Sequence, residues 1–386
     1  MGIRATREKE RSDEIDKQIT EDRKRMGGDC KILVLGVPGS GKSTIVKQMR
    51  IEQENGLPES ERATYRPVIH QNILDSVHTI ILAMHESNTQ FSTAQNALFA
   101  DRILQYNLDE TNSLAISSEI ADVIHQFWQD SAVHQILAEE KDSLDLMDNA
   151  PYLLSDTSRI GSPDYLPSEV DVLRSYKATR DLTETKFKFG RSALSMTMIE
   201  VGQRTTERRK WIHHFESVTS VLFCIALSDY DKLPVWGTDT NRLQDSLATF
   251  ESIINCRWFF RSSFLLFMNK IDLFKQKLTR VPLERHFSEY TGGNDVNKAA
   301  KFILWKFMQA NRARLSVYPH LVQATATTDK NNIKLVYAAV KETILQNAVM
   351  SSNIFKNRLQ EVSVTHPDDA EQRCHAFCAF GTCLLL

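Results

Sequence analysis

The sequence predicts an α/β fold: a mostly parallel sheet with helices on both faces, interrupted by an inserted all-α domain. Three observations predict it. Apolar runs with β character recur at 31–36, 185–190, 192–201, 217–227 and 262–269. Helical stretches at 240–255, 295–312 and 329–350 alternate with the later runs, and strand–helix alternation implies parallel strands. Between the first run and the second, residues 58–173 carry a helical pattern ("YRPVIHQNILDSVHTIILAMHE", "EIADVIHQFWQDSAVHQIL") without strand alternation, a block of domain size.

The elements follow in order. Residues 1–30 are polar and charged, with Ile15, Ile19 and Met26 on one face of an exposed amphipathic helix. "KILVLG" is a short buried strand ending in glycine, and a helix follows from Lys42 to about Glu54, stopped by "NGLP". Between them lies "GVPGSGKS" (36–43), a G-x-x-x-x-G-K-S motif after a strand and before a helix. Such a loop turns its amides onto phosphate oxygens at a positive helix end. Gly39, Ser40, Gly41, Lys42, Ser43 and Thr44 are the expected phosphate contacts, with Lys42 on the β/γ oxygens and Ser43 on Mg²⁺. Pro38 has no N–H, so the cradle lacks one donor there.

The base is read at "FMNKID" (267–272). Asp272 would accept two hydrogen bonds from the N1–H and the amino group of guanine, whereas adenine offers the wrong pattern. Asn269 and Lys270 would brace the loop and stack on the base. "HLVQATATTD" (320–329) ends the next strand, where Ala324 and Thr325 offer an amide to the guanine carbonyl. These residues argue against a kinase or ATPase built on the same phosphate loop.

Composition narrows the class. Hydrophobic residues are 42 % and charged residues 25 % of 386, with a net charge of −2: a chain able to bury a core, with no global attraction to nucleic acid. The 6 cysteines (30, 224, 256, 374, 378, 383) show no metal-ligand pairing and suggest a reducing compartment. No apolar run reaches the ~18 residues of a spanning helix, and no signal-peptide core follows Met1. Membrane contact would come through anchors.

The stretches "GSGKSTIVKQMR", "PDYLPSEVDVLR", "RRKWIHHFESVTSVLFCIALSDYD", "MNKIDLF" and "AAVKETILQNA" resemble a heterotrimeric G-protein α subunit, similar to fungal members, over roughly residues 1–355. The resemblance implies a Ras-like GTP-binding domain (31–57 and 174–355), an inserted helical domain (58–173), the N-terminal helix (1–30) and an extension (356–386). It implies GDP/GTP and Mg²⁺ as ligands. The implied partners are a βγ dimer, a seven-helix receptor and an effector, at the cytoplasmic face of the plasma membrane. Asp148 and Asn149 match the helical domain's nucleotide contact. "LRSYKAT" matches the first switch, with Leu173 and Arg174 on the nucleotide and Thr179 on Mg²⁺.

Two parts of the catalytic pattern differ. The position of the family's switch arginine is Tyr176, which cannot place a cation on a γ-phosphate. The family glutamate that pairs with that arginine is replaced by Gly39, so no unpaired buried charge remains. In "IEVGQRTTERRKW" an ungapped count from Trp211 puts Glu200 on the family's aspartate, which holds Mg²⁺ through water, and Gly202 on its first glycine. Gln203 then falls on the second glycine and Arg204 on the catalytic glutamine. A gapped count keeps Gln203 as the glutamine. Tyr176, Gln203 and Arg204 are therefore degenerate catalytic positions, and slow hydrolysis is the expectation. The alternative is a module that does not cycle and sequesters βγ or an effector.

Both ends carry anchor motifs. "MGIRAT" fits myristoylation of Gly2, a single chain that needs a second signal. "CLLL" fits geranylgeranylation of Cys383; a frayed tail or an intron read through are the alternatives.

Overall fold

The computed structural model describes residues 29–108, 115–139, 146–179, 181–188, 195–202, 215, 218–233, 240–322 and 338. In chain order the elements are β1 (Asp29–Leu35), α1 (Lys42–Glu54), α2 (Glu59–Ala63), α3 (Arg66–Glu86), α4 (Ala94–Gln105), α5 (Ser118–Trp128), α6 (Ser131–Glu139), α7 (Ala150–Ser155), α8 (Thr157–Ile160) and α9 (Glu169–Arg174). They continue with β2 (Thr183–Lys188), β3 (Ser195–Glu200), β4 (Ser220–Ala226), α10 (Arg242–Ile254), β5 (Ser263–Asn269), α11 (Ile271–Leu278), α12 (Val296–Ala310) and β6 (Val317–Leu321).

The sheet has the order β2-β3-β1-β4-β5-β6. Strands β3, β1, β4, β5 and β6 run parallel, and β2 lies antiparallel on the edge. Side-chain alternation assigns the two faces. From β1, β4 and β5, Leu33, Leu35, Val221, Phe223, Ile225, Phe264 and Leu266 pack with α10 and α12 residues such as Phe250 and Phe307. Ile32, Val34, Leu222, Cys224, Leu265 and Phe267 point the other way, onto Ile45, Val46 and Met49 of α1. Burial on both faces explains why these strands read as continuous apolar runs.

Helices α3 to α8 form a separate core around Ile69, Ile73, Val77, Ile80, Ile124, Phe127, Leu153 and Leu154. A small third contact, Ile51 and Leu57 against Val172 and Leu173, joins α1 to α9 where the chain returns to the sheet. Helix ends follow sequence logic: Ser168 with Asp171, and Asn241 with Gln244, form reciprocal capping boxes that start α9 and α10.

The structure moves one expected boundary and adds two features the sequence reading did not specify. Asp29 and Cys30, expected in the N-terminal helix, begin β1, because their backbones pair in register with Ser195 and Met196. The strand at 183–188 is antiparallel. Helix α11 was not anticipated: it is short, and it starts at Lys270 in the left-handed region, φ 60, which reads as a turn. The N-terminal segment 1–28, most of the helix expected at 329–350 and the extension 356–386 lie outside the described residues.

His70, wholly buried in α3, sets a pH dependence for the helical core. Its Nε2 donates to the Ile160 carbonyl at 3.1 Å and its Nδ1 accepts the Ile116 N–H at 2.8 Å, so the ring is neutral. Burial pushes its pKa from 6.5 down to about 4, aided by Arg66 and opposed by the bond to Ile160. Between those values the unfolded chain binds the extra proton and the folded one does not. The core is therefore expected to lose stability as pH falls from 6.5 toward 4, on the order of 3 kcal/mol. Native-state hydrogen exchange at α3, corrected for intrinsic rates, checks this; His70→Gln should remove most of the dependence.

Candidate functional site

β1 ends at Leu35 and hands the chain to a loop at the N-terminus of α1. Two glycines are required by close approach. A Cβ on Gly36 would stand 2.3 Å from the Cys224 carbonyl oxygen, and one on Gly41, with φ +93, 2.1 Å from Asn269 Nδ2. Gly39 also has positive φ, but among the described residues nothing lies within 4 Å of the Cβ it lacks. Lys42 Nζ donates to the carbonyls of Gly36 (2.7 Å) and Val37 (3.0 Å), two of the three donors an ammonium carries. Burial lowers its pKa, while Cys224 and Glu200 oppose.

Three oxygens meet just beyond the loop. Ser43 Oγ lies 3.1 Å from Thr179 Oγ1, Thr179 Oγ1 donates to Glu200 Oε1 at 3.1 Å, and Ser43 Oγ donates to the same Glu200 oxygen. Three different segments supply them: the start of α1, the stretch after α9, and the end of β3. Gly202, two residues on, is buried.

At the other end, Asn269 closes β5 opposite Ala226 of β4. Its Nδ2 donates to the Ser40 carbonyl at 3.1 Å and its Oδ1 accepts the Lys270 N–H at 2.9 Å, so it ties this turn to the phosphate-type loop. One Asp272 carboxylate oxygen is buried, and no donor among the described residues reaches it. A buried carboxylate oxygen without a partner costs about 1–3 kcal/mol or more, which makes Asp272 a candidate acceptor for a ligand donor.

Asp148, from the helical block, ion-pairs with Lys270 (2.5 Å) and Lys232 (2.9 Å). Burial pushes the Asp148 carboxyl up, but the two lysines outweigh it and hold it well below the usual carboxylate range. Asn149 Nδ2 donates to the Arg174 carbonyl, and the Arg174 guanidinium lies 4.2 Å over the Tyr152 ring. The sheet and the helical block thus enclose a cleft of about 330 Å³. Gly39, Gly41, Lys42, Ser43, Thr44, Asp148, Asn149, Leu173, Arg174, Tyr176, Thr179 and Lys270 all line it. Ser40 and Asn269 are buried behind the lining.

Tyr176 is 43 % exposed, and its backbone is held from α3: its N–H donates to Asn72 Oδ1 at 2.7 Å and its carbonyl accepts Asn72 Nδ2 at 2.8 Å. Glu200 accepts hydrogen bonds from the Ser43 and Thr179 hydroxyls, so the three residues expected at the metal lie together. Gln203, Arg204, Ala324, Thr325, Gly2 and Cys383 lie outside the described residues.

A model of the G-protein alpha subunit family matches residues 9–344. The chain belongs to the G-protein α-subunit family. Among its relatives, a guanine nucleotide-binding protein subunit alpha of Cryptococcus neoformans is 51 % identical over 346 residues, covering 90 % of this chain and 79 % of the relative. The alpha-3 subunit of Mycosarcoma maydis is 47 % identical, with 90 % and 96 % covered. The alpha-2 subunit of Saccharomyces cerevisiae is 41 % identical over 331 residues, with 85 % and 73 % covered. The family binds guanine nucleotides and works in signal transduction with βγ and receptor partners, and the six-stranded sheet with its helical block is the fold such an α subunit requires.

Sequence reasoning missed three site residues of this α subunit. Lys232 pairs with Asp148 across the cleft, and Asn72 holds Tyr176. Lys47 Nζ donates to the carbonyls of Val172 and Ser175 and to Ser175 Oγ, each at 3.1 Å; burial lowers it to about 8. Asn72 alone left a mark, as a polar residue on the apolar face of α3; the two lysines look like ordinary surface charges.

Proposed function

We propose that the chain binds GDP and GTP with Mg²⁺ in this cleft and relays the signal of a seven-helix receptor, with slow GTP hydrolysis. The observation that carries the reading is a cleft lined by Lys42, Ser43, Thr179 and Lys270, with the buried oxygen of Asp272, unpartnered among the described residues, two positions beyond Lys270. The loop residues 39–44 would hold the phosphates, Asn269, Lys270 and Asp272 the guanine, and Ala324 and Thr325 its carbonyl. Asp148, Asn149, Leu173 and Arg174 would close the cleft over the nucleotide, with Gly202 at the γ-phosphate. Ser43, Thr179 and Glu200 would hold Mg²⁺, which supplies charge neutralisation at the phosphates.

The domains of this reading are 1–30, 31–57 with 174–355, 58–173 and 356–386. The βγ dimer and an effector are the proposed partners, at the cytoplasmic face of the plasma membrane, with Gly2 and Cys383 as lipid sites. Slow hydrolysis rests on Tyr176 and Gly39. An arginine in the switch is worth ~10³–10⁵ in rate, or roughly 4–7 kcal/mol, figures known for this class of enzyme.

The experiment is GTPγS exchange on the complex with βγ. Saturable GTPγS uptake, blocked by GDP and not by ATP, with release of βγ, is the expected result. Uptake without release would favour a module that sequesters βγ, and competition by ATP would contradict guanine recognition.

A further inference from the structure

We propose that Asn72, in α3 of the helical block, is a positioning residue for Thr179 at the cation site. The inference rests on the cation site proposed above and adds a residue that acts on it from the other domain. Residues 175–179 belong to no helix or strand, so no ladder pairs their peptide groups or fixes their path. Asn72 takes the place of a ladder partner. Its Oδ1 accepts the Tyr176 N–H at 2.7 Å and its Nδ2 donates to the Tyr176 carbonyl at 2.8 Å. One side-chain amide thus pairs both polar groups of one residue, as a residue on a neighbouring antiparallel strand would. Asn72 is 4 % exposed and sits among Ile69, Ile73 and Val77 of the same buried helix face. A buried amide is costly unless it is paired, and the Tyr176 backbone supplies the pairing.

A second anchor comes from the sheet domain. Lys47 of α1 donates to the carbonyls of Val172 and Ser175 and to Ser175 Oγ. Two adjacent residues, Ser175 and Tyr176, are therefore held from opposite sides of the cleft. Lys47 belongs to the helix that carries the phosphate-type loop, and Asn72 to the helical block. Thr179 follows Tyr176 by three residues, at most about 10 Å of extended chain. Its Oγ1 lies 3.1 Å from Ser43 Oγ and donates to Glu200 Oε1 at 3.1 Å. With the Asn72 pair made, the segment leading to Thr179 starts from a fixed peptide. Without it the segment pivots about Ser175, and placing the Thr179 hydroxyl costs backbone entropy that the closed structure has already lost. Cation affinity thereby depends on closure of the helical block, although Ser43, Thr179 and Glu200 all lie outside that block. Carboxylate and hydroxyl oxygens suit Mg²⁺ and Mn²⁺ alike, so Mn²⁺ is a usable probe.

The test is the Mn²⁺ affinity of the full chain loaded with GTPγS, read by electron paramagnetic resonance of free Mn²⁺. Asn72→Leu keeps the branched shape, suits the apolar face of α3 and removes both hydrogen bonds. It should weaken Mn²⁺ binding by about tenfold, the size of two ordinary hydrogen bonds, and by no more than Thr179→Ala does. In a Thr179→Ala background the same change should have no further effect, because Asn72 acts through Thr179. An equal loss in both backgrounds is what a merely structural Asn72 gives, and it overturns the inference. So does an Asn72→Leu affinity within about twofold of wild type. Unchanged affinity in Thr179→Ala itself would remove Thr179 from the cation site and take the underlying reading with it, whereas weakened affinity there with none in Asn72→Leu removes only the role of Asn72. One measurement needs no variant. If the Asn72 pair favours the cation, the cation must favour the pair, so Mg²⁺ should slow amide hydrogen exchange at Tyr176 in the wild type; exchange unchanged by Mg²⁺ overturns the inference even if Asn72→Leu fails to fold.

Discussion

Alanine in place of Asp272 is expected to weaken GDP binding by roughly 10²–10⁴-fold while leaving the fold intact. The size comes from two hydrogen bonds to an ionised carboxylate, each worth about 1.5–3 kcal/mol. The direction comes from the structure, where one carboxylate oxygen of Asp272 is buried and unpaired among the described residues. Asp272 sits in the first turn of α11, so its charge also favours the helix end, by only about 0.3–1 kcal/mol. Equilibrium binding of fluorescent GDP and a thermal melt of the same sample separate the two effects. Discrimination against adenine nucleotides should fall together with affinity, because the carboxylate is the group that tells the bases apart. A variant that kept its GDP affinity would place the base elsewhere.

The second large effect concerns hydrolysis. Tyr176 and Gly39 both line the cleft, and neither carries charge. The pair Tyr176→Arg with Gly39→Glu should recover part of the rate, about tenfold or more, toward the figure known for the class. Among the described residues, no atom lies within 4 Å of a Cβ at Gly39, although its φ of +78 makes any side chain there strained. The Asn72 hold on the Tyr176 backbone is indifferent to the side chain, so an arginine would start from the same anchored position. The single change Tyr176→Arg should recover less, because its guanidinium would lack the partner carboxylate.

How much of this was legible in the sequence depends on distance along the chain. The phosphate-type loop and the Asn269–Asp272 turn were legible because each is a contiguous stretch whose chemistry is local. Strands β1, β4 and β5 were legible because burial on both faces leaves long apolar runs. The inserted block was legible because helical period recurs from α3 to α6 with no strand alternation between. What escaped needs the third dimension. Lys232 and Asp148 are 84 positions apart, and Asn72 and Tyr176 are 104 apart. The antiparallel direction of β2 is a property of pairing and not of composition. Glu200 was legible as a departure from the family pattern, but its direct contact with two hydroxyls follows only from the register of β3 on β1.

The central claim is a guanine-nucleotide site whose catalytic parts are incomplete, and single-turnover hydrolysis tests it most directly. The chain is loaded with γ-labelled GTP, Mg²⁺ starts the reaction, and released phosphate is counted. The account predicts a rate of roughly 10⁻⁵ s⁻¹ or slower, with GTP surviving for most of a day; a rate near ~10⁻² s⁻¹, known for α subunits that carry the arginine, would contradict it.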